Sequence, residues 1–281
     1  MSALALKGLK GLPGSVLRVH RAALLVWTAF ILAAVGYLVW LTDITAHSVH
    51  ARISACDDVE GFCRATLAAG DYSGPMGWIG TAVYYSFWAV AAWAGAALIG
   101  RELESGTAHL AWTQNVSPAR WLAAKLALPA LALALGGTVF VVVFRWAWSA
   151  HRDLMGDDWT FNDVFAARGP ALVAWSLCAL AVGTLTALLL RRALPALGIS
   201  VAVMIVLNRY LESHRHELWP AATRTSTTGS AASNGAWPTD TGTYHPASHF
   251  WPMNLVETGI LLTITALATT AAFAVLRRRT V

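Results

Sequence analysis

Long apolar runs punctuated by short polar stretches set the pattern of this chain. Residues 22–41, 78–100 and 170–190 contain no Asp, Glu, Lys or Arg. Residues 126–148 contain one charge, Arg145, near an end, and residues 255–276 contain one, Glu257, again near an end. A sixth run, 193–208, is short at 16 residues. A helix that crosses a bilayer needs about 20 mostly apolar residues. The pattern therefore predicts an all-α, polytopic membrane protein with six transmembrane helices in one domain over 1–281. No alternating apolar and polar segment of about ten residues recurs, as a membrane barrel would require. The first run follows a basic stretch, but it exceeds the roughly 7–15 apolar residues of a cleaved leader, so an uncleaved first helix is expected.

Composition agrees. The 281 residues are 57% hydrophobic and 12% charged, whereas soluble domains carry about 25% charged residues. A mean hydropathy of +0.54 excludes a disordered chain. The net charge of +5 changes meaning once it is sorted by side. Six spans put both termini on one side, with Lys7, Lys10, Arg18, Arg21, Arg101, Arg120, Lys125, Arg191, Arg192 and Arg277 to Arg279. That side holds twelve basic residues and two acidic ones, Glu102 and Glu104, leaving eight basic and thirteen acidic residues for the other. Basic loops stay in the cytoplasm, so both termini are expected to be cytoplasmic, in a plasma-membrane protein. Trp40, Trp78, Trp148 and Trp251 then mark the outer boundary.

The connecting segments add detail. Residues 1–21 mix leucines with four basic residues and are expected either to lie in the inner interface or to form an unstructured basic anchor. Gly8, Gly11, Pro13 and Gly14 favour a short helix from about Ser15 over one continuous helix. In the outer loop 42–77, Cys56 and Cys63 would lie about 10 Å apart on one straight helix, too far for a bridge. Gly61 permits a turn, and a disulfide is expected on this oxidising side. Cys178, inside a span, reads as a buried inert thiol. The loop 149–169 carries Asp153, Asp157, Asp158 and Asp163, a solvated acidic face whose spacing fits no calcium loop. In the outer segment 209–254, Thr223–Gly242 is rich in Ser, Thr, Gly and Ala and reads as loop-like. His245 and His249 stand four apart, but Pro246 intervenes and no Cys or carboxylate completes a ligand set. They read as exposed loop histidines, and no metal is assigned.

Residues 101–125 form the only long cytoplasmic loop. Gly106-Thr107 can turn the chain into a short helix, and Ser117-Pro118 is a good N-cap followed by Pro at the first helical position. The second helix would carry Arg120 and Lys125 straight into the third span. Glu102 and Glu104 are the only carboxylates on this side and the natural ones to meet basic groups of a partner.

Here the chain resembles permease subunits of the type-two ATP-binding-cassette exporters, with an actinobacterial flavour. The resemblance rests on Glu104-Ser-Gly106-Thr107, Thr113-Gln114, Ser117-Pro118, Arg120-Trp-Leu and Lys125 after the second span. It covers about 25 residues at motif level, with the six-span plan extending it more weakly. It implies that residues 101–125 include a coupling helix docking on a cytosolic ATPase subunit, with Glu102, Glu104, Gly106, Thr107 and Arg120 at the coupling site. It also implies a dimer of permeases, as a homodimer or with a related chain. ATP and Mg would belong to the ATPase partner. This chain cannot supply a P-loop, which needs Gly-x-x-x-x-Gly-Lys-Ser/Thr, because Lys7, Lys10 and Lys125 all lack that context.

The rival classes are an integral membrane enzyme and a membrane assembly or sensor protein. Ser86, Ser176 and Ser200 lie in spans without an intramembrane His or Asp to activate them, and all nine His fall outside the six spans. No charge sits mid-span, which disfavours an ion-coupled pump. Aromatic residues of the second span (Trp78, Tyr84, Tyr85, Phe87, Trp88, Trp93) and threonines of the last (Thr258, Thr263, Thr265, Thr269, Thr270) would suit an amphipathic or hydrophobic substrate, and helix packing and lipid contact explain them equally well.

Overall fold

In the computed structural model, residues 12–56, 62–113, 116–155, 162–223, 237–238 and 243–280 are described. Among the described residues, six helices are long and apolar enough to cross a membrane. The first begins as α1 (Leu12–Trp40), passes through a π-helical turn (Leu41–Thr45) and continues as α2 (Ala46–Ser54). The second combines α3 (Phe62–Ala68), a π-helical turn (Ala69–Ser73), α4 (Gly74–Trp93), another such turn (Ala94–Gly100) and α5 (Arg101–Glu104). After α6 (Thr107–Thr113) the third span is α7 (Pro118–Ala150). Short helices α8 (Arg152–Met155) and α9 (Asn162–Ala167) precede the fourth span, α10 (Ala171–Leu190), and the fifth, α11 (Ala193–Ser213). The last span is α12 (Phe250–Thr280).

Four expectations change. The first helix runs unbroken from Leu12, with Pro13 and Gly14 in its first turn, where a missing N–H and low propensity cost least. The expected outer loop from Thr42 is largely helical, because no Gly or Pro occurs between Trp40 and Ser54. Thr42 Oγ1 donates to the Leu38 carbonyl at 2.8 Å, so its hydroxyl does not interrupt the helix. The second span likewise starts before residue 78. Pro75 falls in the first turn of α4, and the π-helical turn before it takes up the register that proline disturbs. The fifth helix, short in sequence, reaches 21 residues because Arg209 and Glu212 extend it.

Helix α10 is the axis of the bundle. It packs on α4, α7, α11, α12 and the 94–100 turn, and its Trp175, Cys178, Ala179 and Ala187 are fully buried. Helices approach closely in lipid where side chains are small. A Cβ on Gly183 would stand 2.6 Å from the Ala91 carbonyl oxygen and 2.8 Å from Ala94 Cβ, so only glycine allows this contact between α10 and α4. A second core region joins α1, α2, α7 and the 69–73 turn through Leu38, Val49, Tyr72 and Phe144. The outward faces of α1 and α11 are apolar and exposed, including Leu25, Val26, Leu194 and Val206, as a lipid-facing surface should be. Arg145, the one charge of the third apolar run, lies with its guanidinium 4.6 Å from the Trp251 ring centroid.

The bundle has two ends. One, here the basic end, carries residues 101–125, Arg191, Arg192 and the close of α12. The other, the acidic end, carries α2, α3, α8, α9 and residues 214–223, 237–238 and 243–249. A small antiparallel sheet sits at the acidic end, with strands β1 (Ala222–Thr223), β2 (Trp237–Pro238) and β3 (Thr243–His245) in the order β1-β3-β2. Most of Thr223–Gly242, the segment read as loop-like, lies outside the described residues. So do Lys7, Lys10, Asp157 and Asp158. Cys56 and Cys63 form a disulfide with Cα atoms 6.5 Å apart. Cys178 is buried and free.

Candidate functional site at the basic end and the polar core beneath the acidic end

Residues 101–113 and 116–125 fold as a braced hairpin. Helix α5 continues the second span without a break, and Gly106 then adopts φ +73°, a left-handed conformation that glycine enters without strain. Ser105 Oγ and Thr107 Oγ1 lie 3.0 Å apart across that turn, and Thr107 Oγ1 donates to the Glu102 carbonyl at 3.4 Å. Helix α6 turns back, with Ala108 fully buried. The Trp112 ring meets Trp121 of α7 edge-on at 5.8 Å. Ser117 caps α7 as expected, accepting from the Arg120 N–H at 3.3 Å.

Both carboxylates are bonded within the chain. Glu102 pairs with Lys125, whose side chain is 6% exposed. Glu104 Oε2 accepts the Ala193 N–H at 2.8 Å, satisfying an orphan donor at the start of α11 where Arg192 supplies no side-chain cap. The two groups read from sequence as open to a partner are therefore engaged within the chain. They tie the second span to the third and the fifth. Arg279 adds a tie that the sequence did not reveal, donating to the Leu189 carbonyl at 3.4 Å and so joining the end of α12 to the end of α10. Glu104 and Thr107 are nonetheless exposed, as are Arg101, His109, Leu110 and Arg120, and Leu110 is the apolar ridge of the hairpin.

Sequence reasoning missed a polar core just below the acidic end. Arg215 and Glu257 are both fully buried and paired, Nε to Oε2 at 2.9 Å. Trp175 Nε1 of α10 donates to the other oxygen of Glu257, also at 2.9 Å. Burial alone would lower the Arg215 pKa, but the Glu257 carboxylate outweighs it and the guanidinium is held above its usual value. Alongside, Asn208 Nδ2 donates to the Tyr84 hydroxyl at 2.6 Å, and the Tyr85 hydroxyl donates to Glu212 at 3.1 Å. Asn254 donates to the Phe165 carbonyl at 3.0 Å and accepts from the Ala171 N–H at 3.3 Å. These bonds link α4, α9, α10, α11 and α12. A carboxylate inside an apolar run is the one sequence signal for such a core; Glu257 carried it, but Arg215 looked like an ordinary loop charge.

The histidines of the 214–249 segment also differ from expectation. His245, read as an exposed loop histidine, is fully buried on β3. Its Nε2 donates to the His216 carbonyl at 2.9 Å, so its Nδ1 accepts from His249 Nδ1 at 3.1 Å.

Two apolar clefts flank α7. One, of about 430 Å³, lies among α1, α4 and α7 and is lined by Trp27, Phe30, Val90, Trp93, Pro129 and Leu133. The other, of about 400 Å³, lies among α7, α10 and α12 and includes Leu126, Leu180, Thr265, Thr269 and Phe273. Of the aromatic residues expected to face a substrate, Tyr84 and Phe87 are instead core. Trp93, Thr265 and Thr269 do line clefts. Thr258, Thr263, Thr265 and Thr270 each donate to the carbonyl four residues back, which hides their hydroxyls from lipid.

A family model described as ABC-2 membrane transporter related matches residues 28–214, two thirds of the chain. No curated protein and no solved structure matches it. The match spans the first five helices, including the 101–125 hairpin, and stops one residue before Arg215.

Proposed function

We propose that this chain, which belongs to the ABC-2 membrane transporter related family, is the permease subunit of an ATP-binding-cassette exporter driven by a separate ATPase subunit. Its coarser identity, a multi-pass transporter permease, follows from that membership and from the six spans. The proposal adds the energy source, the coupling element and the cargo. The basic end is cytoplasmic, in a plasma membrane, and the hairpin 101–125 receives the ATPase. A second permease, identical or related, completes the complex, and ATP and Mg bind the ATPase.

The observation that carries this reading is mechanical. A soluble ATPase can move spans only through a contact that does not yield under load. The hairpin has such a contact: Glu102 with Lys125, Glu104 with the start of α11, and Trp112 against Trp121. Force on α6 is therefore delivered to three spans together. Thr107 and Gly106 shape the turn, and Arg120 stands outward beside it. The cargo is amphipathic or hydrophobic, supported by clefts whose walls are almost wholly apolar. A photo-crosslinking residue at Leu110 tests the docking: it should capture an ATP-binding-cassette ATPase subunit when the complex is isolated from native membranes. Capture of no such subunit, with the chain intact and in the membrane, contradicts the proposal.

A further inference from the structure

A cluster at the acidic end, outside the elements used above, has an unusual proton balance. His50 on α2 places Nδ1 2.9 Å from the Ala46 carbonyl oxygen, one turn earlier. A carbonyl only accepts, so Nδ1 carries the proton. The other nitrogen, Nε2, lies 2.8 Å from Asp153 Oδ2 on α8. With Nδ1 protonated, a neutral ring offers Asp153 only a lone pair, and two acceptors at this distance repel. A positive centre between them is required: a second proton or a metal ion.

His151 sets a third group beside this pair. Its Nε2 lies 3.1 Å from the Thr42 carbonyl oxygen and donates to it, which leaves Nδ1 with its lone pair. The His50 and His151 rings are 5.4 Å apart. Tyr72 meets His151 edge-on at 5.7 Å and is itself fixed by a hydrogen bond from its hydroxyl to the Ala147 carbonyl at 3.1 Å. One ligand atom from each of His50, His151 and Asp153 lies within 4.8 Å of the others. Zinc bonds of about 2.0–2.2 Å to nitrogen and oxygen place tetrahedral ligand atoms about 3.4 Å apart, a spacing that small side-chain shifts would reach here.

We propose that His50, His151 and Asp153 bind one divalent transition-metal ion of the zinc class, with solvent completing the coordination. Each imidazole donates one N–H to a backbone carbonyl, the outer-shell arrangement that fixes tautomer and aim in metal-binding histidines. Two imidazoles with one carboxylate suit zinc and its neighbours, whereas magnesium and calcium take oxygen ligands. The pair His245 and His249 lacks this arrangement, because its hydrogen bonds balance donor against acceptor without a positive centre. A bound ion would fasten the extension of the first span to the end of the third, next to the loop closed by the Cys56–Cys63 bridge.

The test is a zinc titration by calorimetry on the purified full chain in detergent, stripped with chelator. One equivalent should bind, with magnesium and calcium giving no heat. Asp153→Asn keeps shape and should weaken binding at least tenfold; His50→Ala with His151→Ala should abolish it, and His245→Ala with His249→Ala should leave it intact. Cobalt should give visible bands of four- or five-coordinate intensity that Asp153→Asn alters. The proposal fails if zinc does not saturate a site, if the Asp153→Asn chain, eluting as a single species, binds like the parent, or if binding is lost only with His245 and His249.

Discussion

Glutamate 257 gives the sharpest single perturbation. It has no exposed surface, and neither has Arg215, which it pairs. Glu257→Gln retains an oxygen for Trp175 Nε1 and removes only the charge, leaving the guanidinium without its carboxylate. Removing one partner of a buried ion pair costs about 3–5 kcal/mol, mostly as the penalty of the charge left behind. Glu257→Ala adds a lost acceptor for a buried indole N–H, about 1–3 kcal/mol more. Arg215→Met alone strands the carboxylate instead. The double variant Arg215→Met with Glu257→Gln strands neither charge, so most of the loss should return. Equilibrium unfolding in mixed micelles, read by near-ultraviolet circular dichroism, gives the four corners of this cycle. The expected coupling is at least about 2 kcal/mol. Single variants that each lose less than about 0.5 kcal/mol, and that simply add in the double, would refute the claim that this pair holds α10, α12 and the 214–217 turn together.

Other outcomes follow from particular contacts. Mass spectrometry without reductant should find the Cys56 and Cys63 peptides linked, and Cys56→Ser with Cys63→Ser should loosen that loop in hydrogen exchange while leaving the spans protected. Burial holds the His245 pKa below its ordinary 6.5, so the unfolded segment takes up the proton first. Its stabilising contribution is complete above about pH 6.5 and declines as pH falls from there toward the folded value; hydrogen exchange across 214–223 and 243–249 should accelerate over that window, and His245→Gln should flatten the dependence. Gly183→Ala sets a Cβ against the backbone at Ala91 and should destabilise the bundle by about 1–3 kcal/mol, lowering its thermal midpoint in detergent.

The spans were legible because hydrocarbon admits little but long apolar helices, and a run such as 170–190 has no other physical reading. Their ends were less legible. Thr42, Asp43 and Thr45 look like loop residues by polarity, yet nothing in that stretch prevents helical hydrogen bonding, and the helix continues to Ser54. At the hairpin, local chemistry was readable: Ser117-Pro118 as a cap and Gly106 as the turn both rest on neighbours in sequence. What Glu102, Glu104 and Arg215 touch was not readable, because Lys125, Ala193 and Glu257 reach them only through tertiary packing. The same holds for His50, which meets His151 and Asp153 from a segment that sequence polarity assigned to a separate loop.

Those bonds within the chain decide how the coupling element must be probed. Glu102→Ala would bury the Lys125 amine without its carboxylate and damage the hairpin itself, and Gly106→Val would force a β-branched residue to φ +73°, costing about 1–3 kcal/mol. Both should uncouple transport from the ATPase, but neither separates docking from rigidity. Leu110→Asp with Arg120→Glu changes only the exposed face and leaves the Glu102–Lys125 and Glu104–Ala193 ties in place. The most direct measurement is substrate-stimulated ATP hydrolysis and export by the reconstituted complex carrying Leu110→Asp with Arg120→Glu. Loss of both activities, with normal membrane insertion and an unchanged thermal midpoint of the permease, is the expected result. Stimulated hydrolysis and export at the parental rate would contradict the assignment of residues 101–125 as the element that couples the ATPase to the bundle.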